Sequence, residues 1–236
     1  MSDSPPAPKL PRYGWTQALA TAIARVGARW FFSLEVHGRE NLAGREPVLL
    51  CANHSSHADT FALATAAAGA SRRLVFLGAR DYFWGSAWRR LVVPRLICLV
   101  EFDRGAGMAA ARANLRTLGA CRDDGRIIVL FPEGTRSADG SLRTFKLGAA
   151  MFSDRLGLRV VPCWIDGAHA VLPKGARWPR LRRLRVTFGR PLAVPAGAEG
   201  ETGAERADRY DEFTAQLQGA VAQLGAPAET DSLVTP

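Results

Sequence analysis

Short β-rich runs alternate with helical patterns along most of this chain, and that rhythm restricts the fold more than any other feature. The runs Ser33–His37, Val48–Ala52, Leu74–Leu77, Leu96–Val100, Ile127–Phe131, Val160–Ile165 and Leu184–Phe188 read as strands. Helical periodicity occupies Ala58–Ala68, Tyr82–Val92, Met108–Cys121 and Phe145–Leu156 between most of them. Strands separated by helices of that length predict an α/β fold, a mixed, largely parallel β-sheet flanked by helices on both faces. Ligands of such sheets gather where strands end, so chemistry is expected in the loops that leave the strands.

The flanks set the organisation. Residues 1–12 are Pro-rich and polar and predict a disordered lead-in. From Trp15 to Phe32, apolar residues at Trp15, Leu19, Ile23, Val26, Trp30 and Phe31 approach a 3.6-residue period and predict an amphipathic helix. After a turn-rich stretch beginning at Pro191, a helix is expected from about Ala204 to Leu224. The resulting division is 1–32 for the lead-in and membrane-contacting helix, 33–190 for the α/β core, and 191–236 for an acidic C-terminal helix and tail. A chain of 236 residues can bury a sizeable core as one domain.

Charge and cysteine usage narrow the function classes. Residues 1–198 hold 29 basic and 14 acidic side chains, against 2 and 8 in residues 199–236, so the body is strongly basic. Such a field attracts anionic partners without choosing among them. The basic residues are dispersed and no nucleic-acid motif is present, so no nucleic acid is expected as partner. Cys51, Cys98, Cys121 and Cys163 are widely spaced, with no Cys-x-x-Cys pair, and fit a reducing compartment. The opening MSDSPPAPK has none of the features of a secretory signal, and no run of about 18 apolar residues appears, so cytoplasmic exposure without a spanning helix is expected.

Four strand ends carry polar residues. After Val48-Leu-Leu comes Cys51-Ala-Asn-His-Ser-Ser-His-Ala-Asp-Thr60. On an unbroken helix His54 and Asp59 would point about 140° apart, so they can meet only if His54 sits in a loop and Asp59 in the first turn of the helix that follows. Asp59 would then fix the tautomer and leave the second ring nitrogen free to accept a proton. The same residues also allow a helix start capped by Ser55 or Ser56, or a zinc set from Cys51, His54 and His57 whose remaining ligand is not evident. The second stretch, Phe131-Pro-Glu-Gly-Thr-Arg-Ser137, forces a tight turn that projects Glu133, Thr135 and Arg136; an arginine there can grip phosphate with a planar fork, or serve only as a polar turn. The third is Glu101-Phe-Asp-Arg104 with Gly105 and Gly107 behind it, and the fourth is Val161-Pro-Cys-Trp-Ile-Asp-Gly167, where a proline within a strand suggests an edge or a bulge.

Together, in this order and spacing, the four stretches resemble the glycerolipid acyltransferases, the superfamily of lysophosphatidic acid acyltransferase and glycerol-3-phosphate acyltransferase, across roughly residues 33–190. Asn53-His54-x4-Asp59 resembles the catalytic block, Phe102-Asp103-Arg104 the second, Phe131–Ser137 the third, and Val161-Pro162 with Gly167 the fourth. Glu101 stands where the family usually has an apolar residue, and Arg80 where a lysine is common, which leaves the acceptor headgroup open. The resemblance implies transfer of a fatty acyl group from acyl-CoA or an acyl carrier protein thioester to a hydroxyl of a lysophospholipid-like acceptor such as 1-acylglycerol-3-phosphate. His54 would deprotonate that hydroxyl and Asp59 would orient His54. Arg136 and Arg104 would hold the acceptor's phosphate, with Arg80 and Thr135 among the binding residues. Glu133 would serve the acceptor's hydroxyls or the loop around them, and Gly134 would allow close backbone approach. No cofactor and no metal is implied beyond the thioester co-substrate. A noncatalytic lipid- or phosphate-binding module of the same fold, or an acyltransferase for another lysolipid or a soluble acceptor, are the alternatives.

The Trp15–Phe32 helix and Tyr82-Phe-Trp-Gly-Ser-Ala-Trp-Arg-Arg90 combine aromatic bulk with arginine, which suits a lipid interface as well as a packed core. Arg177-Trp-Pro-Arg-Leu-Arg-Arg-Leu-Arg185, read as a strand, would place a basic stripe toward anionic lipid, toward the donor's phosphates, or simply toward solvent. The expectation is a peripheral protein on the cytosolic face of an anionic membrane surface, with acyl carrier protein as a further candidate partner.

Overall fold

The structure, a computed structural model, describes residues 10–79, 87–103, 105, 107–173, 175–176 and 178–226. Among these residues seven strands form one sheet: β1 (Glu35–His37), β2 (Val48–Ala52), β3 (Leu74–Ala79), β4 (Leu99–Phe102), β5 (Ile127–Leu130), β6 (Arg159–Asp166) and β7 (Arg185–Phe188), in the order β1-β7-β6-β2-β5-β3-β4. All neighbours run parallel except β6 and β7. The helices are α1 (Trp15–Phe31), α2 (Ala58–Ala66), α3 (Ala87–Leu96), α4 (Met108–Asp123), α5 (Gly148–Leu156), α6 (Ala168–Val171) and α7 (Gly203–Gly225). This is the mixed, mostly parallel α/β sheet read from the sequence.

Alternation within the central strands explains why they read as unbroken apolar runs. Val48, Leu50 and Ala52 face one core layer with Leu63 and Phe76, whereas Leu49 and Cys51 face the other with Leu118, Ile128 and Phe213. Both faces of β2 are therefore buried, as a parallel sheet covered by helices requires. The acidic C-terminal helix belongs to this core. A reciprocal cap between Thr202 and Glu205 starts α7, which buries Tyr210, Phe213, Leu217 and Val221. All four cysteines are free and buried.

Two expectations need correction, and of a third, an edge or a bulge at Pro162, the bulge alone is found. The strand expected from Leu96 starts only at Leu99, because α3 runs to Leu96 through Pro94. Pro94 makes its own link, its carbonyl accepting 2.6 Å from Gln17 Nε2 on α1. Pro162 lies in an interior strand rather than at an edge. β7 pairs from Cys163 opposite Phe188, the Gly189 amide donates to the Pro162 carbonyl at 2.8 Å, and the next pairing is Val160 with Leu192, so residues 161–162 face the longer segment 189–191 and the missing N–H falls at this bulge in the ladder. The Trp178–Leu184 stretch is irregular, and strand begins at Arg185.

α1 is amphipathic in the inverted sense. The face it turns to α2 and α3 is small and polar, with Gln17, Thr21 and Ala28 buried. Its large apolar residues point outward: Trp15 is 77% exposed, Ile23 64% and Trp30 76%, with Leu19 and Val26 between them. Among the described residues no helix is long and apolar enough to cross a membrane.

Candidate active site

β2 and β5 are parallel neighbours in register, Cys51 beside Leu130, so their C-terminal ends open side by side. That pairing brings the His54 loop against the Phe131–Ser137 turn although the two are far apart in sequence. Asn53, buried, extends β2 by one false rung: its Nδ2 donates to the Ile165 carbonyl at 2.9 Å and its Oδ1 accepts from the Ile165 amide at 2.7 Å. The fourth sequence stretch thus serves the site as scaffold. Gly167 at its end has φ +79°, and a Cβ there would lie 2.0 Å from the Arg183 carbonyl, so only glycine fits.

His54 sits in the loop and Asp59 in the first turn of α2. His54 Nδ1 lies 2.8 Å from Asp59 Oδ2. The same oxygen accepts 2.8 Å bonds from the amides of Ser55 and Ser56. Three donors converge on one carboxylate oxygen, so Nδ1 carries the proton and the lone pair of the imidazole is on Nε2. Asp59 is fully buried while the His54 side chain is 18% exposed. Helix capping accompanies this pair instead of replacing it, since Ser56 Oγ accepts from Ala58 N at 3.0 Å. Cys51 is fully buried and burial pushes its thiol far up, and among the described residues no cluster of metal-type ligands converges.

The Phe131 turn holds His54 on three sides. Phe131 stacks on the imidazole with ring centroids 3.9 Å apart and planes 14° from parallel. Glu133 Oε1 accepts from the His54 amide at 2.7 Å, and the Ser137 amide donates to the His54 carbonyl at 2.8 Å. Glu133 is buried and its other oxygen accepts from the Arg143 amide at 3.3 Å, so both its oxygens serve backbone. Burial raises its carboxyl to about 7 despite those two amides, and the Asp59 charge adds to the rise.

A cavity of about 460 Å³ opens at His54. Thr135, Arg136 and Lys146 line it together with His57 and Asp103, and Phe76, Ile97, Leu99, Leu130, Met151 and Phe152 give it an apolar portion. Gly134 also lines it, at φ +73°. What crosses its bare α-carbon is the lysine stem: an added Cβ would lie 2.9 Å from Lys146 Nζ and 3.0 Å from its Cε. Asp103 is held by Asn114, whose side chain bonds the Asp103 amide at 3.0 Å and carbonyl at 2.8 Å. Arg80 and Arg104 lie outside the described residues.

Sequence reasoning missed three contributors. Asn114 gives no local signal, because its partner is eleven residues away across a strand-to-helix turn. The pairing of Asn53 with Ile165 depends on strand order, which no single segment reveals. Lys146 had a signal: the chain has 28 arginines and only three lysines, so a lysine just after a site turn is a departure from its own usage.

Comparison with known proteins follows the same residues. Residues 33–166 match the Acyltransferase family, more than half of the chain. A 1-acyl-sn-glycerol-3-phosphate acyltransferase of Chlamydomonas reinhardtii is 31% identical over 172 residues, covering 70% of this chain and 48% of its own length. The chloroplastic 1-acyl-sn-glycerol-3-phosphate acyltransferase LPAT1 of Arabidopsis thaliana is 28% identical over 168 residues, covering 67% of this chain and 43% of its own. The chain thus spans about half the length of the curated relatives it matches. The crystal structure of the 1-acyl-sn-glycerophosphate acyltransferase PlsC from Thermotoga maritima shares the fold with a TM-score of 0.62 at 21% identity, over 91% of this chain and 81% of that one. With the matched segment spanning the His54 loop, the Phe131 turn and the strands that place them, this chain belongs to the Acyltransferase family.

Proposed function

We propose that the chain transfers a fatty acyl group from a thioester donor, acyl-CoA or acyl carrier protein, to the free hydroxyl of a 1-acylglycerol-3-phosphate-like acceptor, as a step of phospholipid synthesis. The observation that carries this reading is the His54–Asp59 pair at a cavity lined both by Arg136 and Lys146 and by a set of apolar side chains. A hydroxyl needs a base near neutral pH, a phosphate needs cations, and a fatty chain needs an apolar slot.

In this mechanism His54 Nε2 takes the hydroxyl proton as the oxygen attacks the thioester carbonyl. The new C–O bond forms, the tetrahedral intermediate collapses with cleavage of the C–S bond, and the imidazolium returns its proton to the departing thiolate. Asp59 stabilises the imidazolium and holds the ring; no acyl group is attached to the protein at any stage. Arg136 holds the acceptor's phosphate, with Arg104 and Arg80 as further candidates. The names of the relatives, each a 1-acyl-sn-glycerol-3-phosphate acyltransferase, support the acceptor class.

The same reading makes the protein peripheral, attached to the anionic cytosolic face of a membrane. A lysolipid keeps its chain in the bilayer, so the catalytic loop must reach the interface. The outward stripe Trp15, Leu19, Ile23, Val26 and Trp30 supports insertion, since burying such side chains gains about 1.5–3 kcal/mol each when complete. Exposed Trp178 and Leu181 belong to a basic stretch whose Leu184 amide bonds the Phe32 carbonyl at 3.0 Å, next to the end of α1. Attraction of the basic body to anionic lipid adds a second signal.

The test is product identification. Purified protein is incubated with acyl-CoA, or with acyl carrier protein, and a panel of lysolipids, and products are identified by mass. A diacylated phosphate product supports the reading, and acylation of another acceptor alone replaces it.

A further inference from the structure

Lys146 is the only lysine among the described residues, and the fold commits it to the cavity. Its amide donates to the Pro132 carbonyl at 3.0 Å, which ties it to the same turn that carries Arg136. Its stem is laid across Gly134, so the ammonium is brought beside a backbone that has no side chain to deflect it.

Neither Lys146 nor Arg136 makes an ion pair among the described residues, whereas Arg126, Arg159, Arg185, Arg206 and Arg209 all do. The nearby carboxylates are otherwise engaged. Glu133 is spent on backbone amides, and Asp139 is held by the hydroxyls of Ser137 and Ser141. Asp103 also lines the cavity, but its Oδ1 accepts from the Gly105 amide at 2.8 Å and it forms no ion pair with either cation among the described residues, so Lys146 and Arg136 both stay open to an anionic ligand.

We propose that Lys146 is a specificity-determining residue which, with Arg136, grips a phosphate monoester and sets it apart from a phosphate diester. The proposal deepens the acyl-transfer reading of this site and rests on it. A monoester presents three free oxygens and about −1.5 to −2 charge near neutral pH. The arginine fork takes two oxygens, and the ammonium, a compact point charge, takes the third. A diester has one charge and two free oxygens, so the lysine adds little to its binding. The expected source is the acceptor's terminal phosphate; the ribose 3′-phosphate of coenzyme A has the same chemistry.

The test uses the full chain, wild type and the variants Lys146→Gln and Lys146→Arg. The acceptors are 1-oleoylglycerol 3-phosphate, a monoester, and lysophosphatidylglycerol, a diester; the donors are palmitoyl-CoA and its 3′-dephospho analogue. For Lys146→Gln the monoester KM should rise roughly 10–150-fold, the loss expected for one charge-assisted hydrogen bond, with kcat at saturation within about threefold. The diester KM should stay put, so the preference for monoester collapses, and Lys146→Arg should restore most of it. A rise confined to the donor KM, absent with the dephospho analogue, assigns the gripped monoester to coenzyme A. Equal loss of kcat on every substrate, or unchanged KM values and selectivity, overturns the proposal. A second arm needs no turnover: calorimetric titration with glycerol 3-phosphate and with adenosine 3′,5′-bisphosphate should show one of the two binding more weakly to Lys146→Gln. If wild type acylates no lysolipid yet this difference persists, the acyl-transfer reading fails and the lysine's role stands. If turnover is as proposed and Lys146→Gln is neutral in both arms, the lysine's role fails alone.

Discussion

Glu133 accepts a 2.7 Å hydrogen bond from the amide of His54, so the turn after one strand fixes the loop after its neighbour. The carboxylate does not line the cavity; it holds the backbone of the residue that does. Glu133 is thus a positioning residue, and its substitution should act through His54.

Glu133→Gln keeps shape but has one acceptor oxygen where two amides need one each, so either His54 N or Arg143 N is left facing an NH₂ group. We expect kcat to fall about 10–100-fold with acceptor and donor KM nearly unchanged, since a misplaced base costs rate and not binding. A rise in acceptor KM with kcat retained would instead put Glu133 in contact with substrate.

The raised carboxyl of Glu133 also predicts a pH dependence. A carboxyl that holds its proton more tightly folded than unfolded stabilises the fold in acid, and that contribution is lost as pH rises through the folded value, about 7. Relative to Glu133→Gln, the wild-type protein should therefore lose stability between about pH 4.5 and 7 and change little above it. Urea denaturation across that range, comparing the two proteins at each pH, reads the difference. Parallel curves would contradict the assignment.

Asn53→Ala removes the false rung between the His54 loop and β6, leaving the Ile165 amide and carbonyl unpaired in the interior. Each buried group left unsatisfied costs about 1–3 kcal/mol. The urea midpoint should drop with an unchanged slope, and an unchanged midpoint would mean that the rung contributes nothing net.

Much of this was legible in the sequence because the signals are local. Seven strands, the capped start of α2 and the loop-to-helix geometry that lets His54 meet Asp59 all follow from runs of fewer than fifteen residues. The neighbourhood of β2 and β5 does not, and with it go the Phe131 stack on His54 and the hold of Glu133 on the loop. The α1 stripe shows a different limit. A 3.6-residue period reports that one face is apolar, yet says nothing about whether protein or another phase covers it; the polar contacts of the opposite face decide that, Gln17 with Pro94 of α3 and Thr21 with Tyr13.

Replacing Trp15 and Trp30 together by alanine should weaken attachment to anionic vesicles at both low and high salt while leaving thermal stability nearly unchanged, because both side chains are exposed. High salt should release the wild-type protein only in part, as it screens the charge attraction and not the apolar insertion. Vesicle sedimentation measures both. A wild-type protein that stays in the supernatant at low salt would contradict the interfacial account.

In the proposed mechanism His54 is the base that deprotonates the acceptor hydroxyl, held for that task by Asp59. This role is tested most directly by kcat of His54→Ala with acyl-CoA and 1-acylglycerol-3-phosphate, on a variant whose circular dichroism matches wild type. Loss of a general base predicts a fall of about 10²–10⁴-fold. A correctly folded variant that turns over within about fivefold of wild type would contradict it.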